Sequence, residues 1–132
     1  MGEDGVSLVQ AIHHVSLIVA DTTAATGFYG GVLGLQALPE RPELPFPGIW
    51  FGVGAQQIHL LELPNPDPII GRPAHGGRDR HLALRVNSLP DLIARLKTAG
   101  IAYTLSHSGR HALFCRDPDG NALEFVADAV AD

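Results

Sequence analysis

Ile12-His13-His14-Val15-Ser16-Leu17-Ile18-Val19 is a short alternating run with a histidine near its start. A variant of it returns about half the chain later as Arg80-His81-Leu82-Ala83-Leu84-Arg85-Val86. In the first run Val15, Leu17 and Val19 share one strand face with His13, while His14, Ser16 and Ile18 share the other. Each run is followed by a helix-like segment and then by further strand-like runs. The chain therefore reads as two copies of one small unit.

Working outward, Asp21-Thr22-Thr23 supplies N-cap chemistry for a helix over roughly 22–33. Gly27, Gly30 and Gly31 each cost that helix about 1 kcal/mol against alanine, so packing must hold it. Gly34 can cap its end, and a strand follows near 35–38. Prolines 39, 42, 45 and 47 make the next stretch a loop, of a length that is often functional. Residues 49–53 and 57–63 read as a hairpin around Gly54-Ala55. The stretch 64–79, with four prolines and three glycines, is a natural connector.

The second half repeats the order. Residues 79–86 form a strand, Asn87-Ser88 caps a helix over 89–99, and Gly100 closes it. Short strands follow near 102–107 and 110–116. Asp117-Pro118-Asp119-Gly120 is a strong turn signal leading into a last strand over 121–127. The expectation is an α+β domain of 132 residues containing β-α-β-β-β twice, each half with a curved, mostly antiparallel sheet. Module one covers about 11–64, the linker about 65–78 and module two about 79–127. Aligning the halves sets Phe51 against Phe114 and His59 against Glu124.

Composition bounds the function. The 45% hydrophobic content suffices for a packed interior, and a formal net charge of −5 argues against nucleic acid as a partner. No apolar run approaches bilayer length, so no membrane is expected. The start, Met1-Gly2-Glu3-Asp4-Gly5, lacks the order of a secretion signal, and a lone Cys115 suits a reducing compartment. The expected location is cytoplasmic. No phosphate loop or nucleophile elbow is present, and Cys115, beside Phe114 in an apolar strand, reads as a core thiol.

Strand parity singles out four side chains. With the more apolar sets packed on the helices, His14, His59, His81 and Glu124 fall on the opposite, concave face, where they can meet around one divalent ion. Imidazole with carboxylate suits Zn²⁺, Ni²⁺, Fe²⁺ or Mn²⁺ without selecting among them. The spacings form no local metal motif, and a single strand histidine is usually a hydrogen-bonded or surface residue. The repeat-related placement of His14 and His81 favours ligands, as does Glu124 in an apolar strand, where an unpartnered carboxylate is costly. His13 shares parity with the helix-packed face and reads as structural or partly exposed. His75 reads as solvated. His107 and His111 flank a turn, within reach of a substrate or simply at the surface.

At these residues the chain resembles the vicinal oxygen chelate superfamily, the glyoxalase/bleomycin resistance/dioxygenase group. The resemblance spans Ile12 to Val126 and rests on His14-Val15-Ser16-Leu17, Phe28-Tyr29-Gly30-Gly31-Val32-Leu33-Gly34-Leu35, the His81–Val86 run, and Asp117-Pro118-Asp119-Gly120-Asn121-Ala122-Leu123-Glu124. It implies a glyoxalase-like fold in which two βαβββ modules form a cupped mixed sheet around a divalent metal ion. By motif, the ligand positions of lactoylglutathione lyases match His14, His59, His81 and Glu124. Extradiol dioxygenases and fosfomycin-modifying transferases use the three positions matching His14, His81 and Glu124. The resemblance further implies a homodimer, often with each site shared between chains. The classical bacterial glyoxalase has a carboxylate where this chain has His59, so the classical substrate does not carry over.

The function this implies is a metal-dependent lyase or isomerase acting on a small-molecule substrate with adjacent oxygens through an enediolate, with Glu124 as proton shuttle. Trp50 and Phe51 are candidates to wall the cleft, with core packing the alternative for Phe51. Arg85 and Arg110 are candidates for an anionic group, or solvated arginines. The alternatives are an extradiol-type dioxygenase and a non-catalytic drug- or metabolite-binding protein of the bleomycin resistance type.

Overall fold

The computed structural model describes residues 7–106, 108 and 110–128. Module one contains β1 (His14–Val19), α1 (Thr22–Thr26), a π-helical turn (Gly27–Val32), β2 (Gln36–Ala37), β3 (Gly48–Val53) and β4 (Gln56–Glu62). A short 3₁₀ turn (Gly76–Arg78) precedes module two, which contains β5 (His81–Arg85), α2 (Leu89–Thr98), β6 (Tyr103–Leu105), β7 (Ala112–Arg116) and β8 (Ala122–Val126). The two four-stranded sheets have matching orders, β1-β4-β3-β2 and β5-β8-β7-β6. In each, the first strand pairs parallel with the last and all other pairs are antiparallel. The parallel pair needs a crossover, and the helix supplies it. The α+β class and the doubled βαβββ order are as the sequence indicated.

The helix expected over 22–33 is one α-turn that widens. Asp21 caps it, its Oδ1 accepting from Thr23 N at 2.9 Å, and Glu62 adds a second cap by accepting from both Thr22 N and Thr22 Oγ1. From Gly27 the hydrogen bonds lengthen to the i−5 pattern, Leu33 N to Phe28 O at 3.0 Å. The three glycines weaken the α-helix, and the wide turn lets the adjacent Phe28 and Tyr29 both bury. In α2, Ser88 Oγ accepts from Asp91 N, Leu89, Leu92 and Leu96 bury at helical spacing, and Gly100 closes the end at φ 71°.

One core joins the modules. It takes Val19, Phe51, Ile58 and Leu60 from sheet one and Leu113, Leu123 and Phe125 from sheet two, with Phe28, Tyr29, Leu92 and Leu96 from the helices. Burying a side chain such as Phe51 or Phe125 contributes roughly 1.5–3 kcal/mol. Polar ties cross the same boundary. Tyr29 Oη donates to Asp117 Oδ2 at 2.7 Å, Ala20 N to Asp119 Oδ1 at 2.8 Å, and Arg95 Nη1 to Val32 O at 3.2 Å. Two arginines tack the proline-rich linker to module two, Arg72 by donating to the Gly120 carbonyl and Arg116 by donating to the Pro73 carbonyl.

Register corrects one detail of the repeat. His59 pairs with Trp50 and Glu124 pairs with Phe114, so the position equivalent to Phe114 is Trp50, and Phe51 matches Cys115. Expecting Phe51 to match Phe114 was one residue out. A one-residue slip exchanges the faces of a strand, which decides what each aromatic residue touches.

Candidate metal centre

In module one, β1, β4 and β3 lie side by side, with Ser16 and Trp50 paired on either side of His59 and His14 paired with Gln57. Directly paired residues project to the same face, so His14, Gln57, His59 and Trp50 form one patch. Their rings stack. The Trp50 and His59 centroids are 3.8 Å apart with planes 2° from parallel, and the His59 and His14 centroids are 4.1 Å apart at 17°. His59 Nε2 lies 2.7 Å from Gln57 Oε1, and the two Nδ1 atoms of His13 and His14 are 2.9 Å apart. His59 is buried, and that burial, followed by the neighbouring His14 and His13, holds its imidazole below the ordinary histidine range.

In module two, β5 and β8 bring His81 to Glu124. The Glu124 carboxylate is 4% exposed, with Oε1 3.2 Å from His81 Nε2 and Oε2 3.6 Å from Arg110 Nη1. His81 Nδ1 is 2.9 Å from the Asp79 carbonyl oxygen. A carbonyl only accepts, so the proton of a neutral His81 sits on Nδ1 and its Nε2 lone pair faces a carboxylate oxygen. Two electron-rich atoms held this close need a cation between them or a proton. Their separation is close to the edge of a coordination shell with bonds of about 2.1 Å, and the backbone bond on the far nitrogen is the usual support for a ligating histidine. The pair therefore fits a divalent ion. Phe114 sits edge-on to His81 at 5.1 Å. The hydrogen bond from Arg116 holds the Asp79 carboxyl below its usual range.

The four expected ligands thus assemble as two pairs, His14 with His59 and His81 with Glu124. Among the described residues, no three His, Cys, Asp or Glu side chains are placed to hold one ion. Each pair rides on its own sheet, His14 and His59 on β1 and β4, His81 and Glu124 on β5 and β8. A cavity of ≈ 240 Å³ opens beside His81, bounded by Val15 and Leu17 of β1, by Leu82, and by Arg72 and Asn121.

Of the other residues singled out, Trp50 is half-buried on the site face. Phe51 is 1% exposed in the core, on the opposite face from His59, and does not line the cleft. Arg110 stands beside Glu124. Arg85 is exposed and paired with Asp128 at 3.2 Å. His75 bonds Thr104 Oγ1 rather than standing solvated, His13 is exposed against His14, the second of its two expected settings, His111 is exposed, and His107 lies outside the described residues. Cys115 is buried, and that burial, with Asp117 nearby, pushes its thiol up to about 12. Sequence reading passed over Gln57 and Asp79. Gln57 is detectable, since it shares strand parity with His59; Asp79 acts through its backbone, which no side-chain pattern reports.

The profile of the Glyoxalase/Bleomycin resistance protein/Dioxygenase superfamily matches residues 11–125. Glyoxylase I 4 of Arabidopsis thaliana is 31% identical over 120 residues, which is 86% of this chain and 68% of the plant protein. Among solved structures, a glyoxalase family protein from Bacillus anthracis matches with a TM-score of 0.76 at 27% identity, over 92% of this chain and 98% of that one. Lactoylglutathione lyase from Agrobacterium tumefaciens matches at 0.64 and 25%, over 92% and 96%. No helix among the described residues is long and apolar enough to cross a membrane. From the doubled sheets, the profile match and the plant relative together, this chain belongs to the glyoxalase/bleomycin resistance protein/dioxygenase superfamily.

Proposed function

We propose that this protein is a cytoplasmic, divalent-metal-dependent lyase or isomerase of glyoxalase type, acting on a small molecule with adjacent oxygens. It works as a homodimer, the β1–β4 half-site of one copy facing the β5–β8 half-site of a second. The observation that carries the reading is the His81–Glu124 pair: a buried carboxylate 3.2 Å from an imidazole nitrogen whose proton is committed elsewhere. His14 from the other half-site joins them as ligand. A bound Zn²⁺, Ni²⁺, Fe²⁺ or Mn²⁺ would supply a Lewis acid for the paired oxygens and so acidify the neighbouring C–H.

The chain's own groups do the rest. Glu124 takes the proton from one substrate carbon and returns it to the adjacent carbon, a net isomerisation with no redox partner. Trp50 walls the site, and Arg110, its side chain largely exposed beside Glu124, receives an anionic substrate group. Metal analysis of the purified protein, with proton exchange followed by NMR in deuterated water on a panel of 2-oxoaldehyde adducts and 2-hydroxy ketones, tests this. Stoichiometric metal and an exchange that Glu124→Gln abolishes are expected. Metal-free protein that still binds small molecules would indicate a sequestering protein instead, and oxygen uptake with catechols a dioxygenase.

A further inference from the structure

We propose that His59 is a positioning residue rather than a metal ligand: the middle ring of a Trp50–His59–His14 stack that sets the plane of the His14 imidazole. This rests on the metal-centre reading above, and it leaves the ion three protein ligands, His14, His81 and Glu124, with its remaining positions open to substrate oxygens.

The geometry is decisive on two counts. An imidazole binds a metal along a lone pair in its own ring plane, at about 2 Å. The His14 and His59 planes are 17° from parallel and stacked with centroids 4.1 Å apart. Planes so arranged meet only roughly 10 Å away, far beyond an imidazole–metal bond. One ion cannot lie in both. Second, His59 Nε2 is 2.7 Å from Gln57 Oε1. An amide oxygen accepts, so Nε2 carries the proton and only Nδ1 keeps a lone pair, in a ring plane that the stack fixes away from that of His14.

The stack accounts for the burial of His59 and for Trp50. The indole covers one imidazole face at 3.8 Å and 2°, and His14 covers the other. Turning His59 toward an ion would break both ring contacts and the Gln57 bond together. His14 is held by the stack on its face and by the contact of its Nδ1 with His13 Nδ1; with the shared proton on His14 Nδ1, its Nε2 is left with the lone pair. Module two reaches the same end differently, with the Asp79 carbonyl and the edge of Phe114 orienting His81. Supports of this kind are commonly worth 10- to 100-fold in metal affinity, as an order of magnitude.

The test is a Co²⁺ titration of the full chain, followed by Co²⁺ absorption and by the fluorescence of Trp50, the single tryptophan. His59→Phe keeps a flat ring and removes both nitrogens. We expect it to hold Co²⁺ within about 3-fold of the unmodified protein, with His59→Ala roughly 10-fold weaker and His14→Ala or His81→Ala at least about 100-fold weaker. If His59→Phe loses Co²⁺ as badly as His14→Ala, His59 is a ligand and the proposal is overturned while the metal centre stands. If His59→Ala binds as well as His59→Phe, the stack positions nothing and the proposal fails on that ground. If His14→Ala and His81→Ala also bind normally, the metal centre itself is wrong. Pulsed EPR of the Cu²⁺-loaded, unmodified protein counts coordinated imidazoles without any substitution: two support the proposal and three overturn it.

Discussion

The two modules share one backbone plan and carry different chemistry at the same register. At the centre of sheet one stands His59, flanked by Ser16 and Trp50; at the centre of sheet two stands Glu124, flanked by Ala83 and Phe114. Sheet one therefore presents an aromatic surface, three stacked rings with the Gln57 amide bonded to the middle one. Sheet two holds a buried carboxylate with a histidine and an arginine at hydrogen-bonding or ion-pair range. Duplication sets where a functional side chain stands, and the residue placed there decides whether the module supplies orientation or charge.

The largest effect should come from treating the two central positions alike. At saturating metal, Glu124→Gln is expected to slow substrate proton exchange about 10³-fold, since it removes the base while keeping the shape. His59→Phe under the same conditions should cost no more than about 10-fold. Comparable losses in NMR-detected exchange would mean the modules share the chemistry, contrary to this division.

Next come two backbone positions equivalent between the sheets. A Cβ at Gly48 would collide with the Leu60 carbonyl oxygen, whereas its counterpart in module two is Ala112, buried without difficulty. Gly48→Ala should lower unfolding free energy by about 2–3 kcal/mol in urea titrations. Ala112→Gly should cost only about 1 kcal/mol. Equal effects would show that sheet one relaxes to accept the methyl group.

A smaller effect concerns the join. Tyr29→Phe removes the bond to Asp117 that links the modules, with an expected loss of about 1 kcal/mol because Asn121 still serves that carboxylate. Loss of two-state unfolding would mean that this bond couples the halves more strongly than one hydrogen bond should.

The least effect is expected at Cys115, the core counterpart of Phe51. With its thiol pushed up to about 12, it should resist thiol reagents at pH 8 until the protein unfolds. The sign for stability follows. Below the ordinary value of 9.0 both states are protonated and nothing changes. Above it the unfolded thiol ionises and the buried one does not, so stability falls as pH rises toward 12. Rapid labelling of folded protein would show that sheet two opens locally.

Much of this molecule is written in local pattern. The alternation in 14–19 and 81–85, the Ser88 cap, the Gly100 stop and the turn at 117–120 each depend on neighbours a few residues away. The sequence alone therefore determined the repeated βαβββ order and the face on which His14, His59, His81 and Glu124 stand. Other features depend on partners brought together only by folding. The register that puts Trp50 rather than Phe51 on His59, the π-turn that buries Phe28 and Tyr29 together, and the Gln57 and Asp79 bonds that choose which imidazole nitrogen is free are of that kind. So is the separation of His14 and His59 on one sheet from His81 and Glu124 on the other. Strand periodicity reports a face but neither a ring plane nor a distance, because those are set by cross-strand neighbours dozens of residues away.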